Sequence, residues 1–218
     1  MPATYDCSRV VDIADEPRHH LIIANDYIRA FAVEIPPHDR TLCHRHPHDY
    51  LIYVAGGAEI ISAARDEQPK RLSYADGECE LSTAGLVHVV ENLSDTPFRN
   101  VVVEMQPLAA TLRRGVKSKV MAGDARIEQL LSEDAGEVVT ITIAPDAELE
   151  IHGPAVLAAP YDRTILVKEI DDFDNALDGF RKLMWVCAPR KVWVRNSGRA
   201  AAQLIVFQVG SSKAGVQT

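Results

Sequence analysis

The segment Leu42-Cys43-His44-Arg45-His46-Pro47-His48-Asp49-Tyr50 carries a histidine at every second position from 44 to 48, and Gly85-Leu86-Val87-His88-Val89-Val90-Glu91-Asn92 adds another farther along. On an extended strand, residues i and i+2 face the same side, about 7 Å apart. The imidazoles of His44 and His46 can therefore converge on one ion. His88 opens a Val-rich run that reads as a strand, and a neighbouring strand can bring it to the same point. Three imidazoles with open positions beside them describe a reactive, unsaturated metal site. Cys43 and Arg45 have the opposite parity and should point away, so Cys43 is assigned to packing.

Outward from these histidines, strand-like runs dominate. Residues 27–34, 49–54, 58–62 and 100–105 alternate apolar with polar or are rich in Val and Ile, and turn residues bound them. The pattern changes over 123–134, where Ile127, Leu130 and Leu131 fall at i, i+3 and i+4, which predicts a helix. Strand patterns resume at 138–143 and run on to 204–209, interrupted by an acidic helical or irregular stretch at 171–180. The halves echo each other. Residues 37–44 line up with 145–152, setting His44 against His152. Residues 87–90 line up with 192–195, setting His88 against Trp193, and Asn92 meets Asn196 after one deletion. The expectation is an all-β chain of two similar barrels, 1–120 and 121–218, with a few short helices and a junction through the helix near 127.

These motifs resemble the cupin superfamily. Its first motif runs Gly, five residues, His-x-His, three or four residues, Glu, six residues, Gly; His44, His46 and Gly57 stand in place. Its second runs Gly, five residues, Pro-x-Gly, two residues, His, three residues, Asn; Gly77, Gly85, His88 and Asn92 stand in place. The resemblance covers residues 27–105 directly and the remainder through the repeat. Residues 15–21 and 25–29 are also similar to a branch of small bacterial cupins of unassigned function. The resemblance implies tandem jelly-roll-like barrels and one divalent ion per chain (Fe, Zn, Ni or Mn) on His44, His46 and His88. Three positions depart from the pattern. Tyr50 holds the Glu position, Thr83 the Pro position, and His38 the first Gly position, matched by Asp146 in the second half. The lost Gly needs a residue that tolerates positive φ, which His and Asp do comparatively well.

The change at Tyr50 bears on chemistry. A phenol titrates near pH 10, so a site of three neutral histidines keeps the full charge of the ion and should favour a carboxylate, enolate or thiolate. Cupins with three-histidine iron sites include dioxygenases of thiols and β-diketones, so the resemblance implies an oxygen-using enzyme on a small anionic molecule. Tyr50 would be a hydrogen-bond donor or acid/base beside the metal. A metal-dependent isomerase or lyase is the alternative, and a barrel that binds or senses a small molecule without chemistry is a third.

The remaining histidines read more plainly. His48 follows Pro47 in a turn and is assigned to a solvated loop; His19 and His20, before the first strand, are expected to be exposed. In the second half, Pro154 and Trp193 occupy the positions expected to match His46 and His88, so His152 is left over and that barrel should bind no metal. Trp185, Trp193 and Phe180 are expected to fill that barrel or an interface.

Composition sets the outer bounds. The 218 residues carry a formal net charge of -8, with basic pairs but no basic stripe, which argues against a nucleic-acid partner. No apolar run approaches the roughly 18 residues of a membrane span. Residues 1–17 lack a basic start and apolar core, so no signal peptide is expected. Cys7, Cys43, Cys79 and Cys187 are scattered, which predicts reduced thiols in a cytoplasmic protein. Edge strands and apolar outer faces predict a homodimer.

Overall fold

The structure, a computed structural model, describes residues 5–114, 118–161, 164–169 and 175–211. It divides into one unit of Met1–Ala24 with Arg29–Glu104 and a second of Asn25–Ile28 with Met105–Thr218. The first carries β1 (Val11–Asp12), β2 (His19–Ala24), β3 (Ile28–Ile35), β4 (His44–Arg45), β5 (Tyr50–Gly56), β6 (Ala58–Ala64), β7 (Lys70–Tyr74), β8 (Cys79–Ser82), β9 (Val87–Asn92) and β10 (Phe98–Met105). The second carries β11 (Lys119–Ala122), β12 (Ala125–Ser132), β13 (Gly136–Ile143), β14 (Glu148–His152), β15 (Ala155–Ala158), β16 (Ile165–Lys168), β17 (Asn175–Leu177), β18 (Leu183–Val186), β19 (Lys191–Asn196) and β20 (Ala202–Val209). Only short 3-10 turns, Ile13–Asp15 and Pro107–Thr111, interrupt the strands among the described residues.

The strand orders repeat. The first unit pairs β1-β4-β9-β6-β7 and β2-β3-β10-β5-β8; the second pairs β11-β14-β19-β16-β17 and β12-β13-β20-β15-β18. Each strand thus recurs ten strands later in the same place, as a tandem duplication requires. The expected all-β pair of barrels is what the chain forms. One difference is that β1 runs parallel to β4 whereas β11 runs antiparallel to β14. The residues replacing the motif glycine take the backbone expected of them, with φ 56° at His38 and 59° at Asp146.

The helix expected over 123–134 is not there. Residues 125–132 form β12, paired with β13, with a register shift between Gln129 and Leu131. A bulge adds one residue to the two-residue period, so Ile127, Leu130 and Leu131 acquire a helical spacing on an extended chain. Of the acidic stretch 171–180, residues 171–174 lie outside the described residues, and Asn175–Leu177 is a strand paired with β16.

The expected correspondence between the barrels also shifts by one residue. Asn92 Nδ2 donates to Ile35 O at 3.1 Å and Thr96 O at 2.8 Å; Asn196 Nδ2 donates to Ile143 O at 3.0 Å and Ala200 O at 2.8 Å. Those two amides close the same corner. Counting back from them, His88 corresponds to Val192, and the cross-strand partners His44 and Ile151 correspond in turn. His46 N donates to Leu86 O, and Gly153 N donates to Arg190 O in the same place. His44, His46 and His88 are therefore replaced by Ile151, Gly153 and Val192, not by His152, Pro154 and Trp193. A one-residue slip exchanges the faces of a strand. Val192 and Val194 join the second core, whereas Trp193 lies between them on the other face under the Lys191 ammonium, 5.1 Å from its ring. Nor does Trp185 fill the barrel; it stacks on Tyr27 at 6.4 Å.

The second barrel is filled by side chains such as Ile141, Leu149, Ile151, Leu157, Val192 and Leu204. A Cβ at Gly153 would stand 2.2 Å from Val186 O, so no histidine fits there without displacing the backbone. Ile151→Ala should accordingly destabilise the protein by about 2–5 kcal/mol. Trp193→Ala, on the outer face, should cost about 1 kcal/mol or less. Urea denaturation of both variants measures the contrast; equal losses would restore Trp193 to the core.

Candidate metal centre

Both sheets of the first barrel send histidines inward. Parallel pairing with β1 and antiparallel pairing with β9 hold β4 so that His44 lies directly across from His88. His46 follows on the same face. From the opposite sheet comes His19, the first residue of β2, paired with Val33 of β3. All four are buried, at 0%, 8%, 2% and 7% exposure in that order. Ring centroids are 4.6 Å apart for His44–His88 and for His19–His44, and 5.2 Å for His44–His46. One nitrogen each from His19, His44 and His46 lies within 4.8 Å of the others. His88 Nε2 is 3.1 Å from His44 Nε2.

The polypeptide holds three of the four rings by their Nδ1 atoms. His44 Nδ1 meets the carbonyl of Leu42 at 3.0 Å, His19 Nδ1 the carboxylate of Glu16 at 2.7 Å, and His88 Nδ1 the hydroxyl of Ser62 at 3.2 Å. His46 Nδ1 stands 3.5 Å from Glu104 Oε1, too long for a full bond, and both atoms are otherwise buried without a partner. When Nδ1 carries the proton, Nε2 presents a lone pair. Two such lone pairs 3.1 Å apart repel unless a proton, as in an Nε2–H donated from one ring to the other, or a cation lies between them. Nitrogens bound about 2.1 Å from one ion come to about 3 Å from each other at a right angle. The donor set therefore fits a divalent ion.

Electrostatics agree. Burial above all, then the nearby His19, lowers His44 and His46 to a pKa of about 3, and burial drives His88 well below the usual histidine range. These rings are neutral near pH 7, the form that ligates. Burial would raise Glu16, but its bond to His19 and backbone N–H donors outweigh that and bring it to about 2. Burial raises Glu104 against the pull of Arg29, which grips it at 2.5 Å and also reaches Asp12 at 2.8 Å.

Tyr50 stacks on His46 with centroids 4.0 Å apart, and burial pushes its hydroxyl up to about 12. It lines a cavity of about 350 Å³ that opens beside His19, His46 and His88 and runs between walls of Val33, Ile52, Val54 and Leu72. His48 is half-buried in the loop between β4 and β5, and His38 bonds the exposed Asp95 at 2.8 Å.

Two sequence expectations change here. His19 is not exposed; it is 7% accessible and faces the cluster. The signal available in the sequence was the spacing of Glu16 and His19, which lets a carboxylate steady a ring. The four thiols are not all reduced either. Cys7 and Cys43 form a disulfide, while Cys79 and Cys187 are free. The partners are 36 residues apart, and the parallel β1–β4 pairing carries the segment before β1 alongside Cys43.

No protein-family model matches the sequence, and no curated protein matches it. Solved structures do. AerE from Microcystis aeruginosa aligns with a TM-score of 0.60 at 14% identity, over 89% of this chain and 98% of that one. Oxalate decarboxylase from Lactobacillus farciminis, in a formate complex, aligns at 0.60 with 10% identity over 86% and 78%. Salicylate 1,2-dioxygenase from Pseudaminobacter salicylatoxidans aligns at 0.57 with 11% identity over 87% and 75%. With two barrels of one strand order and a histidine cluster inside the first, this chain has the two-barrel fold of the cupin superfamily.

Proposed function

We propose that the first barrel is a metal-dependent active site for a small anionic molecule, with one divalent ion per chain held by His44, His46 and His88. The observation that carries this reading is the set of four buried imidazoles, in which ring nitrogens of His19, His44 and His46 lie within 4.8 Å of one another and His88 Nε2 comes within 3.1 Å of His44 Nε2. His19 joins the set as a fourth donor. Glu16 orients His19, Leu42 O orients His44 and Ser62 orients His88. A bound ion would supply Lewis acidity and open positions for an anionic donor. The Tyr50 hydroxyl stays protonated and donates a hydrogen bond toward the chamber, whose apolar walls exclude water. Oxygen-using, dioxygenase-type chemistry is the reading we favour. The fold neighbours support it so far as one is named for salicylate and dioxygenation and another for oxalate.

Three further elements belong to the proposal. The work is divided between residues 1–120, with the metal, and 121–218, without it. The chain forms a homodimer, for which the exposed Leu21 and Ile22 on edge strand β2 offer a surface. The location is cytoplasmic, and the Cys7–Cys43 bond is then of a kind that reducing compartments seldom keep. Among the described residues no helix is long and apolar enough to cross a membrane.

Elemental analysis of anaerobically purified protein should find about one equivalent of Fe, Zn, Ni or Mn, and oxygen uptake should rise with a carboxylate, enolisable diketone or thiol. A protein that takes up no metal would end the reading. Metal with ligand binding but no oxygen uptake would turn it to an isomerase, lyase or binding barrel. Tyr50→Glu should keep the metal and bind a small carboxylate about tenfold more weakly, because the new anion beside His46 cancels one unit of charge. Titration of both proteins with acetate reads this out, and undiminished binding would refute the cationic site.

A further inference from the structure

The far wall of the same cavity is polar in a way the histidines do not explain. Glu80 of β8 faces the chamber, half-buried, one strand repeat beyond Ser82, which pairs with Tyr50. It accepts from Ser82 Oγ at 3.0 Å through Oε1 and from Tyr74 Oη at 3.2 Å through Oε2. A carboxylate offers about four lone-pair positions, so acceptor capacity remains and is turned to the cavity.

What Glu80 lacks is a cation. Glu16 has Arg18, Glu104 has Arg29, Glu34 has Arg99 and Glu59 has Arg71. Among the described residues no lysine or arginine pairs with Glu80. Lys70, which also lines the cavity, is engaged by Glu67 at 2.6 Å. Glu80 lies half-buried across from Ile52 in a cavity that Val54 and Leu72 also line, so a cationic group of a ligand would meet there a carboxylate that no protein cation occupies. A second observation points the same way. Asn100 of β10 lines the cavity at 5% exposure and sets a second polar group, an amide, into its wall.

We propose that Glu80, braced by Tyr74 and Ser82, is the recognition site for an ammonium group, so that the cavity takes a small bipolar molecule with an anionic head at the histidines and a primary amine at Glu80. The apolar walls between the two poles select a short hydrocarbon spacer, and Asn100 offers an amide to a further polar substituent. This deepens the reading of the first barrel as a metal site for an anion and rests on it for the head group. The amine pole rests on Glu80 alone.

The test uses two probe pairs on the full chain. With zinc-loaded protein, calorimetric titration compares 5-aminopentanoate with pentanoate; the amino acid should bind at least about tenfold more tightly. With metal-free protein, pentylamine is compared with pentanol, and the amine should again be preferred. Glu80→Gln should bring both ratios close to one while leaving pentanoate affinity and zinc content unchanged. Equal binding within both pairs in the parent protein, or a preference that survives Glu80→Gln, overturns the proposal. The parent comparison stands even if the variant folds poorly. Failure to take up zinc with the amine preference intact would remove the metal reading and leave the ammonium site; zinc uptake without that preference would do the reverse.

Discussion

His46→Ala and His88→Ala should each reduce bound metal from about one equivalent per chain to a trace. Each variant leaves the other imidazoles in place, but the loss exceeds one ligand's share. His88 Nε2 lies 3.1 Å from His44 Nε2, and His46 is the neighbour on the same face as His44, so either truncation opens the centre of the cluster to water. It also strands a tether. Without His88 the Ser62 hydroxyl loses its ring partner, and without His46 the Glu104 Oε1, already unpartnered, faces a void. His19→Ala removes the donor from the opposite sheet and leaves Glu16 buried without its ring. Its metal content should fall less, because the proposed ligands His44, His46 and His88 all remain, the usual protein complement of an open zinc site. Metal binding stabilises only the folded state, so metal-loaded parent protein should melt higher than stripped protein, and His46→Ala and His88→Ala should show no such gap. Plasma emission analysis with melting curves before and after chelation gives all these quantities. Full metal retention in both His46→Ala and His88→Ala would place the ion elsewhere.

Cutting the Cys7–Cys43 cross-link should have the second large effect. A disulfide that closes a loop of this length contributes about 2–4 kcal/mol, chiefly by restricting the unfolded chain. Here it also adds a covalent tie to a short pairing. β1 is two residues long and joins β4, also two residues long, through a parallel pairing that includes Val11 N to Cys43 O. His44 stands next to Cys43 on that strand. Cys7→Ser should therefore lower the urea midpoint by an amount equivalent to about 2–4 kcal/mol and weaken metal retention with it. Reductant should do to the parent protein what the substitution does, and leave Cys7→Ser unaffected. A variant as stable as the parent, with reductant changing neither, would mean that the two thiols are not joined in solution.

Local pattern was enough for much of this protein. Alternating apolar runs specify strands because side chains leave a strand on alternate faces, so the all-β architecture and most strand positions were legible. So was the pair of inward histidines at 44 and 46, because parity follows directly from spacing. The residues replacing the motif glycine, His38 and Asp146, could be read as positive-φ positions from the motif spacing and their own tolerance of that conformation.

The readings that failed share a cause. The bulge in β12, the one-residue offset between the barrels, the pairing of Cys7 with Cys43 and the inward turn of His19 all depend on which strand lies beside which. Ile127, Leu130 and Leu131 have a helical spacing until β13 is seen to pair through a bulge. Trp193 matches His88 by order along the chain, but the corner closed by Asn196 moves it to the outer face. His19 is unremarkable until β2 pairs with β3 and carries it over the cluster. Parity is a property of one strand and can be read from its residues. Register and adjacency are properties of two strands far apart in sequence, and only the packed sheets decide them.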